Sequence, residues 1–411
     1  MDKFSKFWRI FPIFALLIST SASTAFALTP SPGLLDWGDC RGSAALYPVP
    51  DSSVRIPDSL RVVMINHVGR HGARYPASSS HVDRLIDFLS DAQSRNALTP
   101  TGWELLDLAY KVKEASDDHW GRLDSIGAAE QEGIARRMFE AYSNLFFSSP
   151  VAAESSPVPR CVMSMYEFLH ELSVLAPTVE LTAVSGPSVS PLLRFFDGNL
   201  LYSEFAKSPA LKDSIDNFYR QNLSLDPLRR LVNGRLGKAK DDHYKTLMAM
   251  YSTLAGLAAM GLDCDVNRFL TPEEYNSLWQ AFNLGQYLRH TASSLSDVPA
   301  EIARPLLQEL IQSTDDFIAG NTHTAILLRF AHAETLMPLL SLMRLPGCYY
   351  VGNLDQVATQ WQDFRVVPMA ANLQLLLLQS PTNRYYILPL LNERPLTPIQ
   401  PYPAFRSSLP L

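Results

Sequence analysis

The residues best able to do chemistry lie in one short run, Gly69-Arg70-His71-Gly72-Ala73-Arg74-Tyr75-Pro76. Two arginines flank one histidine. Guanidinium forks match phosphate oxygens in bidentate fashion. A histidine crowded by two cations is held neutral, because like charge disfavours the protonated form. A neutral imidazole beside a bound phosphate is a nucleophile aimed at phosphorus. Gly72 lets the backbone approach closely. The run reads as a phosphoryl-binding loop with His71 as nucleophile and Arg70 and Arg74 as phosphate ligands. An ordinary basic surface loop is the plainer alternative.

A second constellation is Phe330-Ala331-His332-Ala333-Glu334-Thr335. Phosphoester cleavage needs an acid to protonate the leaving oxygen and a further group on the phosphate. Glu334 and His332 are of those types, two residues apart. A first-turn acid stabilised by a helix dipole, or a buried histidine, would look the same.

Both constellations follow strand-like segments. Leu60 to Asn66 (LRVVMIN) is apolar and rich in β-branched residues, which predicts a buried parallel strand. Thr324 to Phe330 predicts a second strand, leading to an amphipathic stretch from Glu334 to Met343. In open α/β sheets, sites form at the carboxyl ends of strands. Phe364 to Gln379 and Tyr385 to Leu391 are apolar runs joined by Ser380-Pro381-Thr382-Asn383-Arg384, which predicts two strands and a turn. Val158-Pro159-Arg160-Cys161-Val162-Met163-Ser164 ends an extended segment and enters a helix with Phe168, Leu169 and Leu172 apolar. The middle is helical. His243 to Leu262 and Asp213 to Tyr219 read as helices. Thr271-Pro272-Glu273-Glu274 fits a capping box and opens a helix ending near Arg289. Leu192 to about Asp297 therefore reads as a helical insertion between strand-bearing segments. Thr29 to Ser53 reads as irregular, and a Pro-rich tail runs from Pro395 to Pro410.

The chain has 411 residues, 47% hydrophobic and 18% charged, with a net charge of −6. That composition excludes a disordered tail and a protein that coats nucleic acid by bulk charge. Lys3, Lys6 and Arg9, the apolar run Ile10 to Ile18 and Ala25-Phe26-Ala27 have the three-part shape of a secretory signal, with cleavage expected after Ala27. An exported product, periplasmic or secreted, is expected, and no membrane span after cleavage. Removing Asp2, Lys3, Lys6 and Arg9 takes away +2, so the mature chain carries −8. Yet Ser190 to Lys245 holds ten Lys/Arg against seven Asp/Glu, a local +3. Cys40, Cys161, Cys264 and Cys348 permit two disulfides by three pairings, or free thiols. No zinc-type cluster of Cys and His is present.

The octapeptide resembles the R-H-G-x-R-x-P signature of the histidine acid phosphatase superfamily, with Arg70, His71, Gly72, Arg74 and Pro76 all matching. The usual His-Asp pair of that superfamily is replaced by His332-Ala333-Glu334. That arrangement resembles the multiple inositol polyphosphate phosphatase branch, the HAE-type histidine phytases. Tyr47-Pro48-Val49-Pro50, Leu193-Arg194-Phe195-Phe196-Asp197, the Leu278-Trp279 helix, Ala371-Asn372-Leu373 and Leu391-Asn392-Glu393-Arg394 also look like that branch's landmarks.

The resemblance implies an α/β fold: a phosphoglycerate-mutase-like core with a mainly parallel sheet flanked by helices, plus an inserted α-helical cap. The expected division is a signal at 1–27, core at 28–191 and 298–411, and cap at 192–297. It implies transient phosphorylation of His71, a third phosphate arginine at Arg160 in an R-x-x-x-S setting, phosphate contact by His332 and proton donation by Glu334. No metal or cofactor is expected, because the arginines neutralise the phosphate charge. A cap with positive excess suits a small polyphosphorylated substrate such as phytate, with Arg194 the candidate cap-side contact. Two alternatives stand beside this reading: a broad-specificity phosphatase with the same site, and a non-catalytic phosphate-ester-binding protein.

Overall fold

The computed structural model describes residues 33–233, 236 and 243–410. The signal-like segment 1–27 lies outside the described residues, as does part of the basic stretch near residue 240.

One mixed sheet organises the chain. Its strands are β1 (Arg61–Arg70), β2 (Val151–Ser155), β3 (Leu181–Ser185), β4 (Ile326–Ala331), β5 (Asn372–Gln379), β6 (Tyr385–Leu391), β7 (Arg394–Pro395) and β8 (Gln400–Pro401). The order is β3-β2-β4-β1-β5-β6-β7, with β8 also on β6. β3, β2, β4 and β1 run parallel, and β5 to β8 continue antiparallel. The parallel strands β2, β4 and β1 are neighbours, so their carboxyl ends form one rim.

β1 runs four residues further than its apolar pattern predicts. Gly69 and Arg70 pair with Phe330 and Ala331 of β4, and Arg70 N donates to Ala371 O at 2.7 Å. Arg70 is therefore a strand residue, and the loop begins at His71. The apolar run Phe364 to Gln379 divides rather than forming one strand. Asp363–Val366 is a helical turn, Pro368 has no N–H to donate, and Ala370 takes a positive φ of 53° before β5.

Helices α1 (Ser80–Ser94), α2 (Pro100–Ser116), α3 (Ser125–Ser148) and α4 (Pro159–Leu175) follow the first two strands. α3 and α4 cover one face of the sheet, where Ile65, Phe168, Leu328, Phe330 and Leu376 are buried together. The Arg304–Ala319 and Ala333–Leu342 helices cover the other, burying Val68, Leu306, Leu310, Leu339 and Leu377. The Pro272–His290 helix starts at the expected capping box: Thr271 accepts from Glu274 N, and Glu274 accepts from Thr271 N. It ends at His290, one residue beyond the expected end.

A third apolar cluster lies off the sheet. It joins Val82, Leu89 and Leu105 of α1 and α2 to Met250, Leu254 and Trp279 of the His243–Ala255 and Pro272–His290 helices. Each buried leucine-sized side chain there contributes about 2 kcal/mol relative to exposure. Helices from before and after β2 thus share one core. Among the described residues, four cations of the basic stretch are in ion pairs: Arg194–Asp197, Lys212–Asp216, Arg229–Asp226 and Arg230–Glu274. All four cysteines are free thiols, and Cys40, Cys161 and Cys348 are buried.

Candidate active site

Three parallel strands deliver the predicted groups to the shared rim. Arg70 ends β1 and His71 follows it. Ser156 follows β2 and leads to Arg160 in the first turn of α4. His332 follows β4, and Glu334 occupies the first turn of the next helix.

The His71 loop is held by its main chain. His71 N donates to Ala331 O (3.1 Å) and Ala370 N donates to His71 O (3.0 Å). Gly72 N donates to Ser164 Oγ (3.1 Å), and Ala73 N to the Glu130 carboxylate (2.7 Å). Gln131 Nε2 donates to Arg70 O (3.0 Å). Gly72 is needed because a Cβ there would fall 2.3 Å from Gly127 O.

His71 is buried, and its Nδ1 lies 2.9 Å from Gly72 O. A carbonyl only accepts, so Nδ1 carries the proton and Nε2 keeps the lone pair. Burial, then the Arg70, Arg160 and Arg74 cations, hold the imidazole well below its usual pKa. That shift favours the neutral ring.

Arg70 is buried, with Nη1 donating to Ser43 O (2.5 Å) and Val367 O (2.6 Å). Arg74 Nη1 donates to Tyr75 O (2.8 Å). Burial, opposed in part by Glu334, brings Arg70 down to about 10; burial with Arg160 and Arg70 brings Arg74 down to about 9. Both stay cationic near neutrality. The Nε atoms of Arg70, Arg74 and Arg160 are buried without a partner among the described residues, the condition expected of donors reserved for a ligand.

His332 joins the two sides. Its ring centroid lies 5.9 Å from that of His71. Its Nε2 lies 2.8 Å from Ser156 Oγ and 3.0 Å from Arg194 Nη1, and its Nδ1 lies 3.4 Å from Arg160 Nη2. Burial lowers its pKa to about 3, with Arg160, Arg194 and Arg70 adding to the effect and Glu334 opposing it. Arg194 itself is held by Asp197 (2.6 Å) and stacks over Phe196 (5.2 Å).

Glu334 is held below the usual carboxylate range. Burial pushes it up, but His290, its own N–H, His332 and Arg70 pull it further down. It faces a cavity of about 240 Å³ that Arg70, Arg74, Arg41, His81 and Gln286 also line. The cavity lies between the sheet rim and the helices of the third cluster.

All seven predicted site residues therefore converge: Arg70, His71, Arg74, Arg160, Arg194, His332 and Glu334. Several supporting groups were not anticipated from sequence. Ser156 faces His332, Glu130 and Gln131 hold the loop, and Tyr202 Oη lies 3.2 Å from His290 Nδ1 beside Glu334. Asp363 is fully buried and accepts from Ser43 N. No motif surrounds these residues. Three of the sequence landmarks form a brace behind the loop. Tyr47 Oη donates to Glu393 (2.8 Å), Asn372 Nδ2 donates to Tyr47 Oη (3.1 Å), and Arg137 clamps Glu393 (2.7 Å). Asn372 and Asn392 exchange hydrogen bonds at 2.8 and 3.0 Å.

Comparison with known proteins places the chain among similar folds. Residues 217–392 match the histidine phosphatase superfamily (branch 2) model. The matched segment contains His332 and Glu334 but not the His71 loop or Arg160. The chain is similar to several phosphatases and phytases. It is 24% identical over 368 residues to multiple inositol polyphosphate phosphatase 1 of Gallus gallus, covering 83% of this chain and 78% of that one. The Bifidobacterium longum multiple inositol polyphosphate phosphatase, solved with inositol hexasulfate, superposes with a TM-score of 0.77 at 18% identity, over 88% and 93% of the two chains. The phytase from D. castellii superposes at 0.67 and 16% identity, over 88% and 80%. Those structures share its fold.

Proposed function

We propose that the protein removes phosphate from inositol polyphosphates such as phytate through a phosphohistidine on His71. The observation that carries this is the His71 side chain itself: neutral, protonated on Nδ1 towards Gly72, and surrounded by Arg70, Arg74 and Arg160.

In the proposed reaction, the arginines and His332 hold the phosphate while His71 Nε2 attacks phosphorus in line. The P–O ester bond breaks, and Glu334 gives its proton to the departing alcohol oxygen. The negative charge of the bound phosphate offsets the cations that keep Glu334 ionised, so substrate itself favours the protonated acid. Glu334, again a carboxylate, then takes a proton from water as the water oxygen attacks phosphorus. The P–N bond breaks and orthophosphate leaves. Charge on the phosphate is met by the arginines, so activity is expected to persist with chelator present.

The helices between residues 192 and 297, packed with α1 and α2, act in this reading as a cap over the rim. Arg194 is the cap-side contact for a polyphosphorylated ligand. The N-terminal segment is read as a signal for export to a periplasm or the medium; sequencing the mature amino terminus tests cleavage after Ala27.

The deciding assay compares hydrolysis of inositol hexakisphosphate with that of an aryl phosphate, with chelator, in wild type and His71→Ala. Turnover of both by wild type only, with acid-labile phosphate trapped on His71, is the expected result. Turnover of the aryl ester alone refutes the substrate, and persistent hydrolysis in His71→Ala refutes the mechanism.

A further inference from the structure

Arg70 is aimed by two main-chain carbonyls, Ser43 O and Val367 O, which both accept from its Nη1. One residue positions both acceptors. The Asp363 side chain accepts from Ser43 N at 2.8 Å, fixing the Ser43 residue. The Asp363 main-chain oxygen accepts from Val367 N at 2.8 Å, closing the turn that presents Val367.

Asp363 is in turn held from the Pro272–His290 helix. Trp279 Nε1 donates to Asp363 Oδ1 at 3.0 Å, and Asp363 N donates to Asn283 Oδ1 at 2.9 Å. Trp279 and Asn283 are four positions apart, so they share one helix face. Asn283 Nδ2 also donates to Trp361 O at 2.9 Å. Gly42 completes the fit: its φ is 58°, and a Cβ there would lie 2.7 Å from Asp363 Oδ2. A fully buried carboxylate is costly unless paired and hydrogen-bonded. Here both oxygens are used, one by the segment before β1 and one by the helix that borders the cavity.

We infer that Asp363 is a positioning residue for Arg70, locking its guanidinium towards the phosphate and tying that aim to the Pro272–His290 helix. This rests on Arg70 being a phosphate ligand, as proposed above. Asp363 touches no substrate in this account and acts through Ser43 and Val367. Asparagine at this position would turn an amide N–H₂ against either the Trp279 or the Ser43 donor, so one bond is lost and a donor pair is opposed.

The test is a double-mutant cycle read by inorganic phosphate inhibition of aryl phosphate hydrolysis. Asp363→Asn is expected to raise the phosphate inhibition constant and KM together by about tenfold, with a smaller change in kcat, as for one lost charge-assisted hydrogen bond. In an Arg70→Ala background the same change is expected to add less than about twofold, because the effect runs through Arg70. Trp279→Phe, which keeps an aromatic side chain but removes the donor, is expected to move phosphate inhibition the same way by about threefold. That variant carries the cycle if Asp363→Asn does not fold. Equal effects with and without Arg70, or a lowered melting temperature with unchanged phosphate inhibition, overturn the inference. A wild type that neither hydrolyses the ester nor is inhibited by phosphate instead refutes the underlying site.

Discussion

Replacing Gly72 with alanine tests whether the catalytic loop is fixed by close backbone packing. The added Cβ would lie 2.3 Å from Gly127 O, 2.6 Å from Gly127 Cα and 2.7 Å from Gly127 C. These are main-chain atoms of the first turn of α3 and cannot rotate away. Ordinary contact begins near 3.4 Å, so the loop must move by about 1.1 Å, the difference of the two distances. Movement is resisted on every side: by the bonds from Arg70 N to Ala371, His71 N to Ala331, Gly72 N to Ser164 and Ala73 N to Glu130. Overpacking of this kind costs about 1–3 kcal/mol, and each main-chain bond broken adds about 1 kcal/mol. A shift near 1 Å at the nucleophile lowers rate by about 100-fold. Gly127→Ala is the informative partner, since its Cβ would fall 2.1 Å from Ala73 O and the residue carries no reactive group. Steady-state kcat/KM on an aryl phosphate, with urea unfolding of each variant, reads both effects. A folded Gly72→Ala or Gly127→Ala enzyme within about threefold of wild-type kcat/KM refutes the packing argument.

Glu334→Gln is expected to lower kcat on an inositol phosphate by about 100- to 10,000-fold. The loss should be much smaller on an aryl phosphate, whose leaving oxygen needs little protonation; equal losses on both would remove Glu334 from the role of acid. His67 is buried against Phe168 and Phe330, with Nδ1 unpartnered among the described residues and its pKa lowered to about 3 by burial and Arg329. The unfolded chain binds a proton there below about pH 6.5 and the folded chain does not, so this histidine's destabilisation grows as pH falls from 6.5 towards 3. His67→Phe should therefore gain about 2 kcal/mol more stability at pH 5 than at pH 7, from 1.5 pH units at 1.36 kcal/mol each; urea unfolding with no pH-dependent gain would contradict it. Arg194→Ala should raise KM for inositol hexakisphosphate by about tenfold, the loss of one charge-assisted contact, and change an aryl phosphate less. Equal changes would argue against a cap-side role.

Much of the site is legible because it is local. The octapeptide His71 loop and the His332–Glu334 segment each follow an apolar strand pattern, and strand carboxyl ends are where such loops face a ligand. The Thr271 capping box spans four residues and could be read directly. Legibility fails where long-range pairing overrides the local pattern. β1 continues through Gly69 and Arg70 because β4 and β5 flank it, which no property of those two residues signals. Phe364 to Gln379 looks like one strand by hydrophobicity, but Pro368 and the turn at Ala370 divide it. Likewise, α1 and α2 share an apolar core with helices more than a hundred positions away, which no local pattern announces.

Residue types and short spacings alone determined which chemistry is available: two arginines around one histidine, and a carboxylate two residues after a second histidine. Those are properties of neighbouring side chains, and no fold alters them. The tertiary structure decided how those groups are aimed. The proton on His71 Nδ1 follows from Gly72 O, the setting of His332 from Ser156, Arg160 and Arg194, and that of Arg70 from Asp363. Each partner except Gly72 lies far along the chain. Hydrogen-bond aim and desolvation depend on atoms brought together by the sheet and its packed helices, and these exist only once the core has formed.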